Sequence, residues 1–258
     1  PNAWDAVSAR LFEEAGFPAI ATTSGGIAAV LGYPDGQRAS SREMLAIVGR
    51  IAETVSVPVT ADLEAGYGAT ADQVAETMRQ AIAVGVVGAN LEDGSGSEHR
   101  LADLAYQVEV IRAVRATAES SGVPFVLNAR IDVYLRGDGD DATRFRETVR
   151  RAEAYREAGA DCIFPIGLKD RETIARLVPE IGCPVNIMSG PGAPAIAELQ
   201  RLGVARATFG TGLMRATLPL IRRMAQELRT SGVCESLAQT EFTHVKVNQL
   251  FQREAPRA

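Results

Sequence analysis

The stretch VPVTADLEAGYG, residues 57–68, is an apolar segment that ends in two carboxylates and a turn with two glycines. The apolar part is typical of a strand that is covered on both faces. Asp62 and Glu64 are two residues apart, so they point to the same side of that strand. A single acid at such a place is more often a helix cap or a solvated loop residue. The interpretation as a site therefore depends on whether other strands end in the same way.

Six further segments have a similar strand character, and amphipathic stretches with helical spacing alternate with them. The strand segments are residues 18–24, 87–93, 124–132, 161–167, 184–190 and 206–212, and the clearest helical ones are 71–84, 104–118, 142–158 and 170–178. The opening PNAW, residues 1–4, predicts the end of an eighth strand. Eight βα units in 258 residues have the size of a (β/α)8 barrel of TIM type. We expect one domain over residues 1–258, with a doubly wound open sheet as the alternative.

Composition excludes several classes of protein. The chain is 46% hydrophobic with a net charge of −5, and its basic residues are interspersed with acids, which argues against a nucleic-acid partner. No apolar run reaches the ~18 residues that a membrane span needs. The three cysteines, Cys162, Cys183 and Cys234, are scattered without the spacing of metal ligands. We therefore expect a cytoplasmic protein without a disulfide framework.

Polar residues follow most of the predicted strands, at the ends where barrels build their active sites. They are Thr23, Ser24, Asp62, Glu64, Asn90, Glu92, Asp93, Asn128, Arg130, Asp132, Asn186, Ser189 and Thr211. Gly25 and Gly26 directly follow Ser24. Acids gathered at one end would repel each other, and a divalent cation removes that cost. Oxygen ligands favour Mg²⁺ or Mn²⁺ over zinc, and Mg²⁺ keeps several waters, so one direct carboxylate with others acting through water is plausible.

Some of these residues also have plainer interpretations. Arg130 is equally well a structural ion-pair partner inside the barrel. Gly25 and Gly26 suit a simple turn as well as a backbone cradle for an anion. His99, in the polar segment GSGSEHR at residues 94–100, is more typical of a solvated loop than of a catalyst.

Six segments, taken in order, resemble the isocitrate lyase/phosphoenolpyruvate mutase superfamily over nearly the whole chain. They are PNAWDAVSARLFEEAGFPAIATTSGGIAAVLGYPDG (1–36), TADLEAGYG (60–68), NLEDGS (90–95), NARIDVYLRG (128–137), AYREAGADCIFPIG (154–167) and GTGLMRA (210–216). The resemblance implies a (β/α)8 barrel that binds Mg²⁺ and a 2-oxo acid or its enolate. It also implies that the eighth helix is exchanged between paired subunits, which assemble as dimers of dimers.

The resemblance assigns roles to individual positions. Asp62 matches the direct metal ligand and also lies against the substrate, Glu64 and Glu92 match acids that hold metal-bound waters, and Asp35 matches a further acid near the metal. Ser24, Gly25 and Gly26, with Thr23 before them, match the substrate-carboxylate loop. Arg130 matches an arginine that reaches the substrate oxygens, and Asn186 matches a polar residue of the seventh strand.

Two departures from the family pattern concern the leaving group. Isocitrate and methylisocitrate lyases carry a Lys-Lys/Arg-Cys-Gly-His loop after the LED motif, whereas this chain reads EDGSGSEHRLAD at residues 92–103, without Cys or Lys. The sixth strand reads IFPIG, without the usual Glu or His. The enolate half of the site is thus intact, and Arg130, Glu92 and His99 remain as the catalytic candidates, with His99 as the titratable one.

The resemblance therefore predicts a Mg²⁺-dependent carbon–carbon lyase for a small 2-oxo or 2-hydroxy acid, of the isocitrate or methylisocitrate lyase type or acting on oxaloacetate. One alternative is P–C bond chemistry, as a phosphonomutase or phosphonopyruvate hydrolase. Another is a non-catalytic protein that binds a 2-oxo acid or a di- or tricarboxylate.

The last segment, residues 235–253, is helical in pattern and apolar on more than one face. Leu237, Phe242, Val245, Leu250 and Phe251 are large apolar residues. A helix that faces water on one side does not need them all. We expect this segment to be swapped between subunits of a homodimer or homotetramer, with packing on its own barrel as the alternative.

Overall fold

The computed structural model describes residues 1–95 and 100–252, so the predicted site residue His99 lies outside the described residues. The strands are β1 (Asn2–Ala3), β2 (Ile20–Thr22), β3 (Val59–Asp62), β4 (Gly88–Glu92), β5 (Gly94–Ser95), β6 (Arg100–Leu101), β7 (Val126–Ile131), β8 (Cys162–Pro165), β9 (Asn186–Met188) and β10 (Arg206–Thr208). The helices are α1 (Ala6–Glu14), α2 (Ser24–Leu31), α3 (Ser41–Thr54), α4 (Ala71–Ala83), α5 (Leu104–Ser120), α6 (Val133–Arg136), α7 (Asp141–Glu157), α8 (Arg171–Ile181), α9 (Ile196–Arg201), α10 (Gly212–Ser231) and α11 (His244–Leu250). A 3-10 helix spans Glu235–Gln239.

Eight of the strands are parallel and follow one another around the molecule. Six form a sheet in the order β1-β2-β3-β4-β7-β8, β9 joins β8 through a bridge between Ile163 and Val185, and β10 pairs with β9. Asn2 links β10 to β1, since its side-chain oxygen accepts hydrogen bonds from the Thr208 hydroxyl (2.8 Å) and the amide of Phe209 (2.7 Å). The predicted (β/α)8 barrel is confirmed, and β5 and β6 form a small antiparallel hairpin beside it.

Local sequence explains why the surrounding helices form and which face they bury. In α3, Ser40 and Glu43 form a reciprocal capping box at the start of the helix. Met44, Val48 and Ile51 then follow at spacings of four and three residues, and all three side chains are fully buried. Helices of this kind cover the outer faces of the strands, so the hydrophobic core lies between the barrel wall and the helices.

The glycines of the opening motif are explained by the close approach of α4 to the end of β3. A Cβ on Gly66, whose φ is +92°, would lie 2.4 Å from a methyl carbon of Val74. One on Gly68 would lie 2.7 Å from the backbone nitrogen of the same residue. Only glycine permits this turn, because it has no Cβ. The chain can therefore place its acids at the end of β3 and begin the packed helix α4 a few residues later.

Helix α10 is long and strongly amphipathic, yet it is exposed. Of its 20 residues, all of which the structure describes, only Met214 is buried. Leu218, Ile221 and Leu228 continue the stripe that Met214 begins, and their side chains are between 47% and 58% exposed. In the described part of the chain, no helix is long and apolar enough to cross a membrane.

The segment after α10 comprises two short helices. The backbone amide and hydroxyl of Ser236 donate to the Glu227 carboxylate and hold the 3-10 helix against α10. Helix α11 reaches α1, where the Arg10 side chain donates to the Leu250 carbonyl (2.6 Å). Phe242 and Val245 remain exposed. The end of the segment therefore touches its own barrel, while most of its apolar surface is uncovered.

Candidate active site

Asp62, the last residue of β3, is oriented by the start of α2. One oxygen of its carboxylate, Oδ2, accepts hydrogen bonds from the Ser24 amide (3.0 Å) and the Ser24 hydroxyl (2.7 Å). The other, Oδ1, is buried and has no hydrogen-bond partner among the described residues. A carboxylate oxygen that is withdrawn from water without a partner is costly, so this atom is a natural position for a cation.

Gly25 and Gly26 form the first turn of α2, where helix geometry leaves backbone amides without intrahelical partners. A Cβ on Gly25 would lie 2.7 Å from Oδ2 of Asp35 and 2.9 Å from the hydroxyl of Thr211. A Cβ on Gly26 would lie 2.6 Å from a methyl carbon of Thr23. The glycines therefore let neighbouring side chains approach the start of α2 closely, and Asp35, predicted from the sequence, lies directly beside Gly25.

Glu64 and Glu92 lie next to each other across β3 and β4, since the Glu92 amide donates to the Glu64 carbonyl (2.8 Å). Both side chains are buried. Burial raises the pKa of the Glu64 carboxyl, which a hydrogen bond from Tyr67 counteracts. Burial likewise raises the pKa of the Glu92 carboxyl against the opposing effect of Arg130. Acids from neighbouring strands thus share one site, as the sequence predicted.

Arg130, on β7, is in register with Glu92 and is held from two sides. It forms an ion pair with Glu92 and donates to both carboxylate oxygens of Asp132, at 2.7 and 3.0 Å. Asp132 also pairs with Arg136. The guanidinium keeps further N–H groups beyond those contacts, so an ion-pair role and a substrate role are compatible at this residue.

A buried hydrogen-bond network fixes Asp132, the partner of Arg130. Asp93 accepts hydrogen bonds from the Asp132 amide (2.8 Å), the Tyr155 hydroxyl (2.7 Å) and Arg151 (3.0 Å). Arg151 also donates to the carbonyl of Ala102, at the end of the β5–β6 hairpin (3.1 Å). Our sequence analysis missed Arg151 and Tyr155. Their signal was a pair of polar residues, four apart, on the buried face of α7.

The barrel interior beside the acids contains amides with unused hydrogen-bonding capacity. Asn186 is completely buried, and neither its nitrogen nor its oxygen has a partner in the described part of the chain. Asn128 donates to Asn90 (2.7 Å), while its own oxygen has no partner there. Thr23 and Thr211 lie 3.1 Å apart through their hydroxyls. The structure thus brings together the predicted residues of the strand ends and of the start of α2, and Asn186 lies buried in the barrel interior on β9.

A second kind of metal site would hold the ion directly through several side chains. Within residues 1–95 and 100–252, no group of three or more His, Cys, Asp or Glu side chains is arranged to ligate one ion. A site built from Asp62 as the only direct carboxylate, with the other acids behind waters, does not require such a group.

Fold and site together define a (β/α)8 barrel with an acidic centre at the carboxyl ends of its strands. The family described as phosphoenolpyruvate phosphomutase matches residues 1–229. The chain belongs to this family, within the isocitrate lyase/phosphoenolpyruvate mutase superfamily of lyases and mutases.

Relatives and a solved structure agree with this placement. An uncharacterised protein of Mycobacterium tuberculosis is 37% identical over 82% of this chain and 76% of its own length. The 2-methylisocitrate lyase of Escherichia coli is 30% identical over 95% of this chain and 83% of its own. The crystal structure of a 2,3-dimethylmalate lyase has a TM-score of 0.87 at 28% identity and covers 97% of this chain and 87% of that one.

Proposed function

We propose that this protein is a Mg²⁺-dependent lyase that cleaves a carbon–carbon bond in a small 2-oxo or 2-hydroxy carboxylic acid. The observation that carries the proposal is the buried Asp62 Oδ1, which has no partner in the described residues and lies near the carboxyl groups of Glu64 and Glu92. The named relatives act on methylisocitrate and dimethylmalate, which are acids of this class.

The residues present fit a hard divalent cation. Asp62 would hold it directly, and Glu64, Glu92 and Asp35 would hold its water molecules, since all the available donors are oxygens. When bound, Mg²⁺ supplies positive charge that neutralises the charge developing on the substrate as its carbon–carbon bond breaks.

The chain's own groups bind and orient the acid. Ser24 fixes Asp62 through two hydrogen bonds. The amides at the start of α2, at Gly25 and Gly26, suit a substrate carboxylate because the positive end of a helix favours an anion. Arg130 is already held between Glu92 and Asp132. Its remaining N–H groups can therefore bind a substrate oxygen without the side chain having to be ordered on binding. Asn186 is a neutral donor and acceptor for a further substrate oxygen, and His99 is our candidate for the proton that the product carbon needs.

Turnover of a substrate panel tests the proposal. Methylisocitrate, 2,3-dimethylmalate, isocitrate, oxaloacetate and phosphonopyruvate are each incubated with the protein and Mg²⁺, with the Asp62→Asn variant as the matched control. We expect product from at least one carboxylic acid with the parent protein and none with the variant. Phosphorus NMR that shows only phosphonopyruvate consumed would replace the proposal by P–C chemistry. Tight calorimetric binding of a 2-oxo acid without product over hours would favour a binding protein.

We also propose that the protein is a homodimer or homotetramer in which α10 and the segment after it pack on a neighbouring subunit. The support is the exposed stripe of Leu218, Ile221 and Leu228, because an amphipathic helix normally buries such a stripe. Light scattering tests this directly: a monomeric mass at micromolar concentration contradicts it.

A further inference from the structure

Three residues other than glycine adopt left-handed backbone angles in the part of the chain that the structure describes. They are Gln37, Glu64 and Tyr67, with φ of +57°, +51° and +57°. For residues with a Cβ this conformation is unfavourable and persists only where surrounding contacts hold it. Residues 37 and 64 are far apart in sequence, so their common conformation calls for a common cause.

The three residues are hydrogen-bonded to one another in a closed triangle. The Gln37 amide donates to Oε2 of Glu64 (2.6 Å), and the Tyr67 hydroxyl donates to Oε1 of the same carboxylate (2.7 Å). The third side of the triangle is the Tyr67 amide, which donates to the side-chain oxygen of Gln37 (3.2 Å). We call this group the clasp.

The clasp joins two loops at the barrel mouth. One loop, residues 32–40, follows α2 and contains Asp35, and the other, residues 63–70, follows β3 and contains Glu64. Asp35 precedes Gln37 by two residues and lies against Gly25, beside the Ser24–Asp62 pair. Because Asp35 and Glu64 are both acids, their mutual repulsion would push the first loop away, and the clasp opposes that movement.

We propose that Gln37 and Tyr67 are positioning residues, which through the clasp orient the Glu64 carboxylate and hold Asp35 over the acidic centre before any cation binds. The cation part of this inference rests on the proposed function. The geometry favours this role over simple loop packing, because both oxygens of the buried Glu64 carboxylate accept a hydrogen bond. A donor on each oxygen leaves the carboxylate one orientation, and its remaining lone pairs then point in fixed directions.

The Tyr67→Phe variant isolates one side of the triangle, because it removes the hydroxyl and leaves the ring. Tyr33→Phe is the matched control: Tyr33 lies in the 32–40 loop, and its hydroxyl donates to Glu43 (3.1 Å) in the first turn of α3 rather than to an acid of the site. Gln37→Ala removes the side-chain acceptor and keeps the unfavourable left-handed position. Two measurements are made on each variant, namely Mg²⁺ binding by calorimetry and hydrogen exchange of residues 32–40 in the metal-free protein.

We expect Tyr67→Phe to weaken Mg²⁺ binding by about tenfold, the equivalent of one hydrogen bond to a charged group. Gln37→Ala should weaken it less, by about threefold, because it removes a hydrogen bond between neutral groups. We also expect both to speed amide exchange in the 32–40 loop, while the thermal midpoint of the metal-free protein stays close to that of Tyr33→Phe. Equal or tighter Mg²⁺ binding in Tyr67→Phe, with unchanged exchange, overturns the inference. So does a loss of affinity that Tyr33→Phe reproduces.

Failure of the proposed function is distinguishable from failure of the clasp. A parent protein that binds no Mg²⁺ refutes the metal site and the cation part of this inference. The exchange measurement still decides whether the clasp holds the loop, because it is made without metal.

Discussion

Asp62 is the residue on which the proposed metal site depends most directly, and two substitutions there separate its charge from its hydrogen bonds. In Asp62→Asn the side chain keeps its shape, and its oxygen can still accept from the Ser24 amide and hydroxyl, as Oδ2 does now. In Asp62→Ala both bonds are lost. A comparison of the two variants therefore measures the contribution of those bonds.

Both variants should lose Mg²⁺ binding, with affinity falling on the order of a hundredfold or more, since neither has the direct carboxylate. Their stabilities should differ. Each bond to the neutral amide oxygen of the Asn variant contributes about 1 kcal/mol, so without metal we expect the free energy of unfolding of Asp62→Ala to be about 2 kcal/mol below that of Asp62→Asn. Sequence reasoning, which considers only the repulsion between the acids, predicts that Asp62→Ala is at least as stable as the parent. The Ser24 contacts reverse that expectation.

The assays are Mg²⁺ calorimetry and urea unfolding in the presence of a chelator. The parent protein should also gain thermal stability as Mg²⁺ is added, because a ligand that binds only the folded state stabilises it, and neither variant should respond. Mg²⁺ binding by Asp62→Asn with the affinity of the parent would refute the metal assignment. Equal stability of the two variants would show that the Ser24 bonds contribute little.

Three further predictions concern the surroundings of the site and the assembly. Arg151→Leu leaves the buried carboxylate of Asp93 without its cation and should lower the unfolding free energy by about 3–5 kcal/mol, measured in urea. Gly25→Ala places a methyl group within 2.7 Å of a neighbouring carboxylate oxygen and should weaken Mg²⁺ and substrate binding, whereas Gly212→Ala, where nothing lies within 4 Å, should leave both unchanged in calorimetry. Ile221→Asp puts a charge on the exposed stripe of α10 and should shift the mass in light scattering towards the monomer; an unchanged oligomer would exclude this face from the interface.

Much of the architecture follows from local patterns. The apolar segments 57–64 and 124–132 predicted β3 and β7, and the helical spacing of residues 71–84 and 104–118 predicted α4 and α5, because these signals lie in neighbouring residues. Even the first strand, reduced to Asn2–Ala3, was predicted, as the end of an eighth strand at residues 1–4. The link between β10 and β1 was not, because it consists of side-chain hydrogen bonds from Asn2 to residues about 200 positions away, and no local pattern encodes such a contact.

For the site, the sequence by itself determined which acids lie at the strand ends, because each follows closely on an apolar strand segment. Asp62, Glu64 and Glu92 were identified in this way, but β3 ends at Asp62 and the backbone of Glu64 is left-handed, so the period of the strand does not set the direction of Glu64. Only the tertiary structure decided how those acids are held: Ser24 on Asp62, Gln37 and Tyr67 on Glu64, and the Asp93–Arg151–Tyr155 network behind Arg130. These partners come from loops and helices whose spacing from the acids follows no period. Their contacts arise from the way the barrel closes and stacks its layers, which depends on the packing of the whole chain.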